Sequence, residues 1–346
     1  MQSGLRILRD LRIKSASDEH IVAQILAPAF MRLSIQSILY IDTTRAAERQ
    51  SFAIELSEFS KYESAIPETF ATLEEARNSM NTAAHGLFRT FYLYDADLPY
   101  SEQAEAFPLH EKCRNKFASW YTAFKRFMEA KSVNFTSREV RGAAMLKIQY
   151  TTASIMANAA PPTMEDHRPV ADVTSDPARF VPFLGDFENI VKLSRSLIAA
   201  CEADSRSGKP SFTFSTDLGV VGPLYYCCVK SPDHTIRLAA MELLMRCPRR
   251  EGMWDSVTLE RLVRGYWAIE SRHEALQEEI INDMGQPVAL SRLLDLGFED
   301  GMKWEWRWKE MALRNRQAVP RYTWAEVLQD RSRHSVLERE RDNHEY

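Results

Sequence analysis

The chain has 346 residues, 45% hydrophobic and 27% charged, with 44 Lys+Arg against 48 Asp+Glu and a formal net charge of −4. That balance excludes an intrinsically disordered chain. It also argues against direct nucleic-acid binding, which draws on clustered positive charge. There is no run of about 18 apolar residues, so no membrane span is expected.

Along the chain, helical periodicity recurs and period-2 alternation of β-branched residues is almost absent. Met1 to Lys14 is a basic amphipathic stretch without the apolar core of a signal peptide; it reads as a surface helix. Thr72 and Glu75 form a capping-box signal ahead of an apolar stripe from Leu73 through Ala76, Met80, Ala83, Leu87 and Phe91 to Tyr94. Thr136 and Glu139 repeat that signal before Ala143, Leu146, Ile148 and Tyr150. Phe187, Ile190, Val191, Leu197 and Ile198 mark a further helix. Pro232 suits the first turn of the helix that carries Ile236, Ala240 and Leu243. Leu259, Leu262, Val263 and Tyr266 form the next stripe. Trp304, Trp306 and Trp308, read at helical spacing, put the first and last on one face. The expected architecture is all-α: a single large domain of about ten helices over 1–330, with scope for an internal apolar cavity, then a charged tail at 331–346.

Most chemical motifs are missing. There is no GxGxxG, GxSxG or HExxH, and Gly208-Lys209 lacks the rest of a phosphate loop. The cysteines number five, without a CxxC, and read as reduced, buried small hydrophobes. Glu270 and His273 make a single ExxH, whereas a di-iron bundle needs two plus further glutamates. No metal and no cofactor are therefore expected. His85 is the one histidine inside a strongly apolar helix, either a hydrogen-bonded core residue or a general base.

The segment from Phe212 to Ser256 is the densest in signals. Phe214-Ser215, Asp217, Gly219 and Pro223-Leu224-Tyr225 come first. Ile236-Arg237 and Leu243-Leu244 follow, then Arg249-Arg250-Glu251-Gly252 with Trp254-Asp255-Ser256. Together these resemble the C-terminal regulatory domain of fungal zinc-cluster transcription factors, whose pattern runs FSxDxGxxxPLY, IRRxAIxLL and RREGxWDS. Gln2-Ser3-Gly4-Leu5, Phe70 with Leu73 to Arg77, and Trp120 with Phe124 look like upstream segments of the same family. The likeness covers roughly residues 1–310, and RREGxWDS is its specific part. The family's six-cysteine DNA-binding cluster is not in this sequence, and Leu238 stands where the family has a second arginine. The chain reads as a regulatory fragment or as a protein without the DNA-binding half.

What the resemblance implies is a ligand- or partner-responsive regulator of transcription, nuclear or cytoplasmic, taking a small apolar ligand of fungal secondary metabolism and forming a homodimer. The alternative is an isomerase, cyclase or dehydratase built on the same scaffold, with His85, Tyr92, Asp217, Tyr225, Tyr226 and Cys228 as its acid/base candidates. For the fingerprint, a structural role has Arg249 and Arg250 meeting the carbonyls of a helix end. Gly252 then supplies a positive φ, Trp254 fills a corner and Asp255 caps the next helix. In the rival reading, Arg249, Arg250 and Asp255 line a pocket with Glu251 and Trp254 beside them.

Overall fold

The computed structural model describes residues 22, 26–36, 46–57, 63, 65–95, 98–103, 106–208, 214–215, 217–246, 248–275, 294–299 and 303–308. Met1 to Lys14 and the tail at 331–346 lie outside the described residues. Among the described residues ten α-helices run in chain order: α1 (Ala27–Gln36), α2 (Ala46–Ser57), α3 (Leu73–Leu93), α4 (Ala106–Lys131), α5 (Ser137–Asn158), α6 (Val170–Ser175), α7 (Leu184–Arg206), α8 (Val221–Lys230), α9 (His234–Arg246) and α10 (Ser256–Ala275). The protein is therefore all-α, as the periodicity implies. No described helix is long and apolar enough to cross a membrane.

Among the described residues two small sheets interrupt the helices. The strands β1 (Phe214–Ser215), β2 (Arg250–Glu251) and β3 (Trp254–Asp255) form one. The hairpin of β4 (Leu294–Glu299) and β5 (Lys303–Trp308) forms the other. The hairpin corrects the helical reading of the tryptophans. In its register Trp304, Trp306 and Trp308 stand opposite Phe298, Leu296 and Leu294. A W-x-W-x-W pattern has period 2, the period of a strand.

By chain contacts the molecule divides into two units, Met1–Val257 and Thr258–Tyr346. In the first, α3 is central and packs against α1, α2, α4 and α5, while α7 packs against α5, α8 and α9. The core of this unit joins Met31, Leu56, Met80, Leu87, Trp120 and Phe124. Aromatic side chains stiffen it: Trp120 stacks on Phe124 at 4.7 Å and lies 5.9 Å from Phe70. Buried as it is, the indole needs a partner for its N–H, and it donates to Ala76 O at 2.9 Å. The second unit contains the buried stripe Leu259, Leu262, Val263 and Tyr266 of α10, and the β4–β5 hairpin.

Helix starts follow the local chemistry. Thr136 Oγ1 accepts from Glu139 N while Glu139 accepts from Thr136 N, a full capping box for α5. At α3, Thr72 Oγ1 accepts from Glu75 N, but the Glu75 carboxylate reaches one residue further back, to Ala71 N. Pro232 stands just before α9 rather than in its first turn, and Asp233 Oδ1 accepts from Ile236 N at 2.9 Å.

Candidate functional site

The fingerprint segments meet in one compact knot. β1 pairs in parallel with β2, Phe214 opposite Arg250 and Ser215 opposite Glu251. β2 turns back onto β3 through Gly252 and Met253, putting Glu251 opposite Trp254. Gly252 has φ 60°, the conformation glycine adopts without strain. It also gives its N–H to Ser215 O at 2.6 Å. A Cβ at Gly252 would overlap the Gln36 side chain. That amide, fully buried at the end of α1, accepts from Met253 N at 3.1 Å. The knot is closed behind by Arg249 and Ser256: Ser256 N donates to Arg249 O and Arg249 N donates to Ser256 Oγ, both at 3.0 Å.

Glu251 is the central group. It is 4% exposed, yet a carboxylate there is not isolated. Val220 N and Val221 N donate to its two oxygens at 3.1 and 2.8 Å, at the open amino end of α8. Helix starts carry unpaired N–H groups and a positive partial charge, so an anion is favoured there. Arg249 Nη1 lies 3.9 Å from the same carboxylate. Burial raises the Glu251 pKa above its ordinary value, opposed by the backbone N–H groups and Arg249. Gly219 makes room: a Cβ there would overlap the carboxylate. Gly222 does the same for Trp254, whose ring lies 3.3 Å from where its Cβ would stand. Tyr225, one turn further along α8, meets that indole edge-on at 6.0 Å. The buried Trp254 Nε1 has no acceptor among the described residues.

Asp217 ties the knot to the bundle. It takes Arg32 Nε of α1 at 3.5 Å and Arg77 Nη1 of α3 at 3.2 Å. Asp255 ends β3 opposite Arg250 and directly precedes α10. One expectation for the fingerprint changes here. The contact of Arg250 is to the turn itself, Nε to Gly252 O at 3.1 Å, rather than to the end of α9.

The other sequence candidates lie elsewhere. His85, fully buried on α3, has Nε2 3.3 Å from Leu56 O and Nδ1 2.8 Å from Ser34 Oγ. A carbonyl only accepts, so Nε2 donates to Leu56 O, while Ser34 Oγ, which also donates to Met31 O at 2.7 Å, sits against Nδ1. Burial pulls the His85 pKa down to about 4. Tyr92 is buried with its ring edge-on to Phe52 at 5.2 Å. Tyr226 stacks on Phe187 at 6.0 Å, and burial raises its hydroxyl far above the usual range. Cys228 has Sγ 3.7 Å from Arg237 O, and burial pushes its thiol up to about 12. Such a thiol is poorly suited to nucleophilic work. Asp217, Tyr225, Arg249, Arg250, Glu251, Trp254 and Asp255 are thus brought together, while His85, Tyr92, Tyr226 and Cys228 pack separately.

Comparison with protein-family models, curated proteins and solved structures gives no match. Among the described residues, no group of three or more His, Cys, Asp or Glu side chains is placed to hold a metal ion. Sequence reasoning missed Gln36, Gly219, Gly222 and Arg32. Their partners come from segments up to 217 residues away, and only the two glycines, inside the quoted motif, carried a local signal.

Proposed function

We propose that the chain is a ligand- or partner-responsive regulatory domain of the kind found in fungal zinc-cluster transcription factors, taking a small apolar ligand. One observation carries the reading. The segments that resemble the family are far apart in sequence, and they touch. Trp120 holds Ala76 O. The next residue, Arg77, holds Asp217. The strand before Asp217 pairs with Arg250-Glu251, and Glu251 holds the start of the helix that carries Pro223-Leu224-Tyr225. Chance matches to separate motifs have no reason to be tertiary partners. A domain knotted in this way also couples α1, α3 and α8, so a ligand that shifts one of them shifts the others.

The test is a chimera that joins residues 1–346 to an unrelated DNA-binding module in a reporter strain. Expected is reporter output that differs from the bare module, responds to extracts of fungal secondary metabolites, and is lost in Glu251→Ala. Output equal to the bare module under every condition, with the chimera present at normal level, overturns the proposal.

A further inference from the structure

His85 stands where α3 meets the ends of two other helices. Leu56, whose carbonyl accepts from Nε2 at 3.3 Å, is in the last turn of α2. Ser34, whose Oγ lies 2.8 Å from Nδ1, is in the last turn of α1. The carboxyl end of a helix carries a partial negative charge, which favours a cation beside it. Charged side chains act on the same ring. Arg89 on α3 and Lys116 on α4 oppose a proton there, and Glu63 favours one. Lys116 and Glu63 are themselves paired. Arg32, the charged residue of α1, is engaged by Asp217.

Ser34 brings one hydroxyl hydrogen within reach of two acceptors. Met31 O lies 2.7 Å from its Oγ, and Nδ1 of a neutral ring is the other. Met31 O also belongs to the helical ladder of α1, so it does not depend on the serine. A neutral His85 takes the hydrogen at Nδ1. A protonated His85 has an N–H at both nitrogens. Nε2–H stays on Leu56 O, Nδ1–H donates to Ser34 Oγ, and the hydroxyl hydrogen swings to Met31 O. Each ring nitrogen thus keeps a hydrogen bond in both states. Without that exchange, an imidazolium in the core would leave a buried donor unpaired. The charged state also acts on α1. A serine hydroxyl committed to a carbonyl of the preceding turn tends to bend its helix. Two residues on, the fully buried Gln36 ends α1 and holds Met253 N at 3.1 Å in the Gly252 turn.

We propose that His85 and Ser34 form a proton-operated latch: His85 takes up one proton inside the folded protein, the Ser34 hydroxyl reverses from Nδ1 to Met31 O, and the end of α1 carries the change through Gln36 to the Gly252 turn. The proton comes from solvent, and the folded chain gains one positive charge. Burial lowers the pKa of the ring, so the latch works in acid, below the ordinary 6.5. None of this rests on the regulatory reading above.

The experiment is a pH titration of the ¹⁵N-labelled full chain, read at the imidazole nitrogens of His85 and at the backbone amide of Met253. Expected at neutral pH is a neutral ring with its proton on Nε2. Below pH 6.5, Nδ1 gains a proton while the amide spectrum stays that of the folded chain, and the Met253 amide moves with the same midpoint. His85→Gln keeps a donor and an acceptor but has nothing to titrate, so the Met253 shift disappears. Ser34→Ala takes the acceptor from Nδ1–H, so the His85 midpoint falls by about one pH unit, the size of one buried hydrogen bond to a charged group. Should Ser34→Ala not fold, the comparison with His85→Gln decides alone. A ring that stays neutral until the chain unfolds, or a neutral ring with its proton on Nδ1, overturns the proposal. So does an unchanged midpoint in Ser34→Ala, a Met253 amide that does not move, or one that still moves in His85→Gln. Transcription is not part of the readout. Failure here leaves the regulatory reading standing, and a silent reporter chimera leaves the latch standing.

Discussion

Replacing Glu251 by alanine removes the cap of α8 from inside the protein. Val220 N and Val221 N lose their acceptor and are too deep for water to replace it. Each open N–H costs about 1–3 kcal/mol. The amino end of the helix loses its anion, worth about 0.3–1 kcal/mol. Arg249 loses a buried counter-charge. Burial holds the Glu251 carboxyl above its ordinary pKa, so deleting it recovers part of a desolvation cost. The net loss is about 3–4 kcal/mol, the size seen when one partner of a buried charge pair is removed. At about 2–4 °C per kcal/mol for a unit of this size, the melting temperature falls by roughly 10 °C. Differential scanning calorimetry of wild type, Glu251→Ala, Gly219→Ala and the double variant reads this directly. A methyl at Gly219 must push the carboxylate out, so the double variant should be no less stable than the worse single one. Costs that simply add, or a fall below about 3 °C for Glu251→Ala, would refute the capping role.

Trp254→Ala should cost about 2–3 kcal/mol, below the figure for a fully buried tryptophan because the side chain is half-buried. Trp254→Phe, which removes the open Nε1–H, should cost under about 1 kcal/mol in a urea melt. His85 predicts a loss of stability in mild acid. Its folded pKa, about 4, lies below the ordinary 6.5, so the stability it contributes is complete above pH 6.5 and lost as pH falls towards 4. The loss is about 3 kcal/mol, and His110, whose pKa burial also lowers, adds to it. Glu251 works the other way, because a raised folded pKa favours the fold as pH falls. Urea melts at pH 7 and pH 4.5 should therefore show a larger drop for wild type than for His85→Gln; equal drops would contradict the assignment. In thiol labelling of the native protein, Cys201 should react first among the described cysteines. Cys113, Cys227 and Cys228 are buried and their thiol pKa values raised, so they should react only on unfolding.

Helix positions were legible because their signals are local. The stripe from Leu73 and the Thr136–Glu139 box need only neighbours three or four residues away. Gly252 was legible for the same reason: a turn demands its φ. Glu251 was not, because its role depends on Val220 and Val221 at the start of another helix. Strands of two residues, such as β1 and β2, are too short to show alternation at all. The tryptophans of β5 had the opposite problem. Their period-2 spacing was visible, but the surrounding helical pattern outweighed it.

The parallel pairing of Phe214 with Arg250 also fixes an order of events during folding. α8 receives its cap from a strand that follows α9 in the chain. Until that strand has been synthesised and has returned, the first turn of α8 has open donors, although α5, α7 and α9 already pack against the helix. Closing a segment of that length costs about 3 kcal/mol in chain entropy before any contact compensates. The helix therefore matures late, when the turn at Gly252 closes. A nascent chain interrupted just after α9 would present an uncapped first turn of α8, open to chaperones and proteases, and the same chain extended to Ser256 would not.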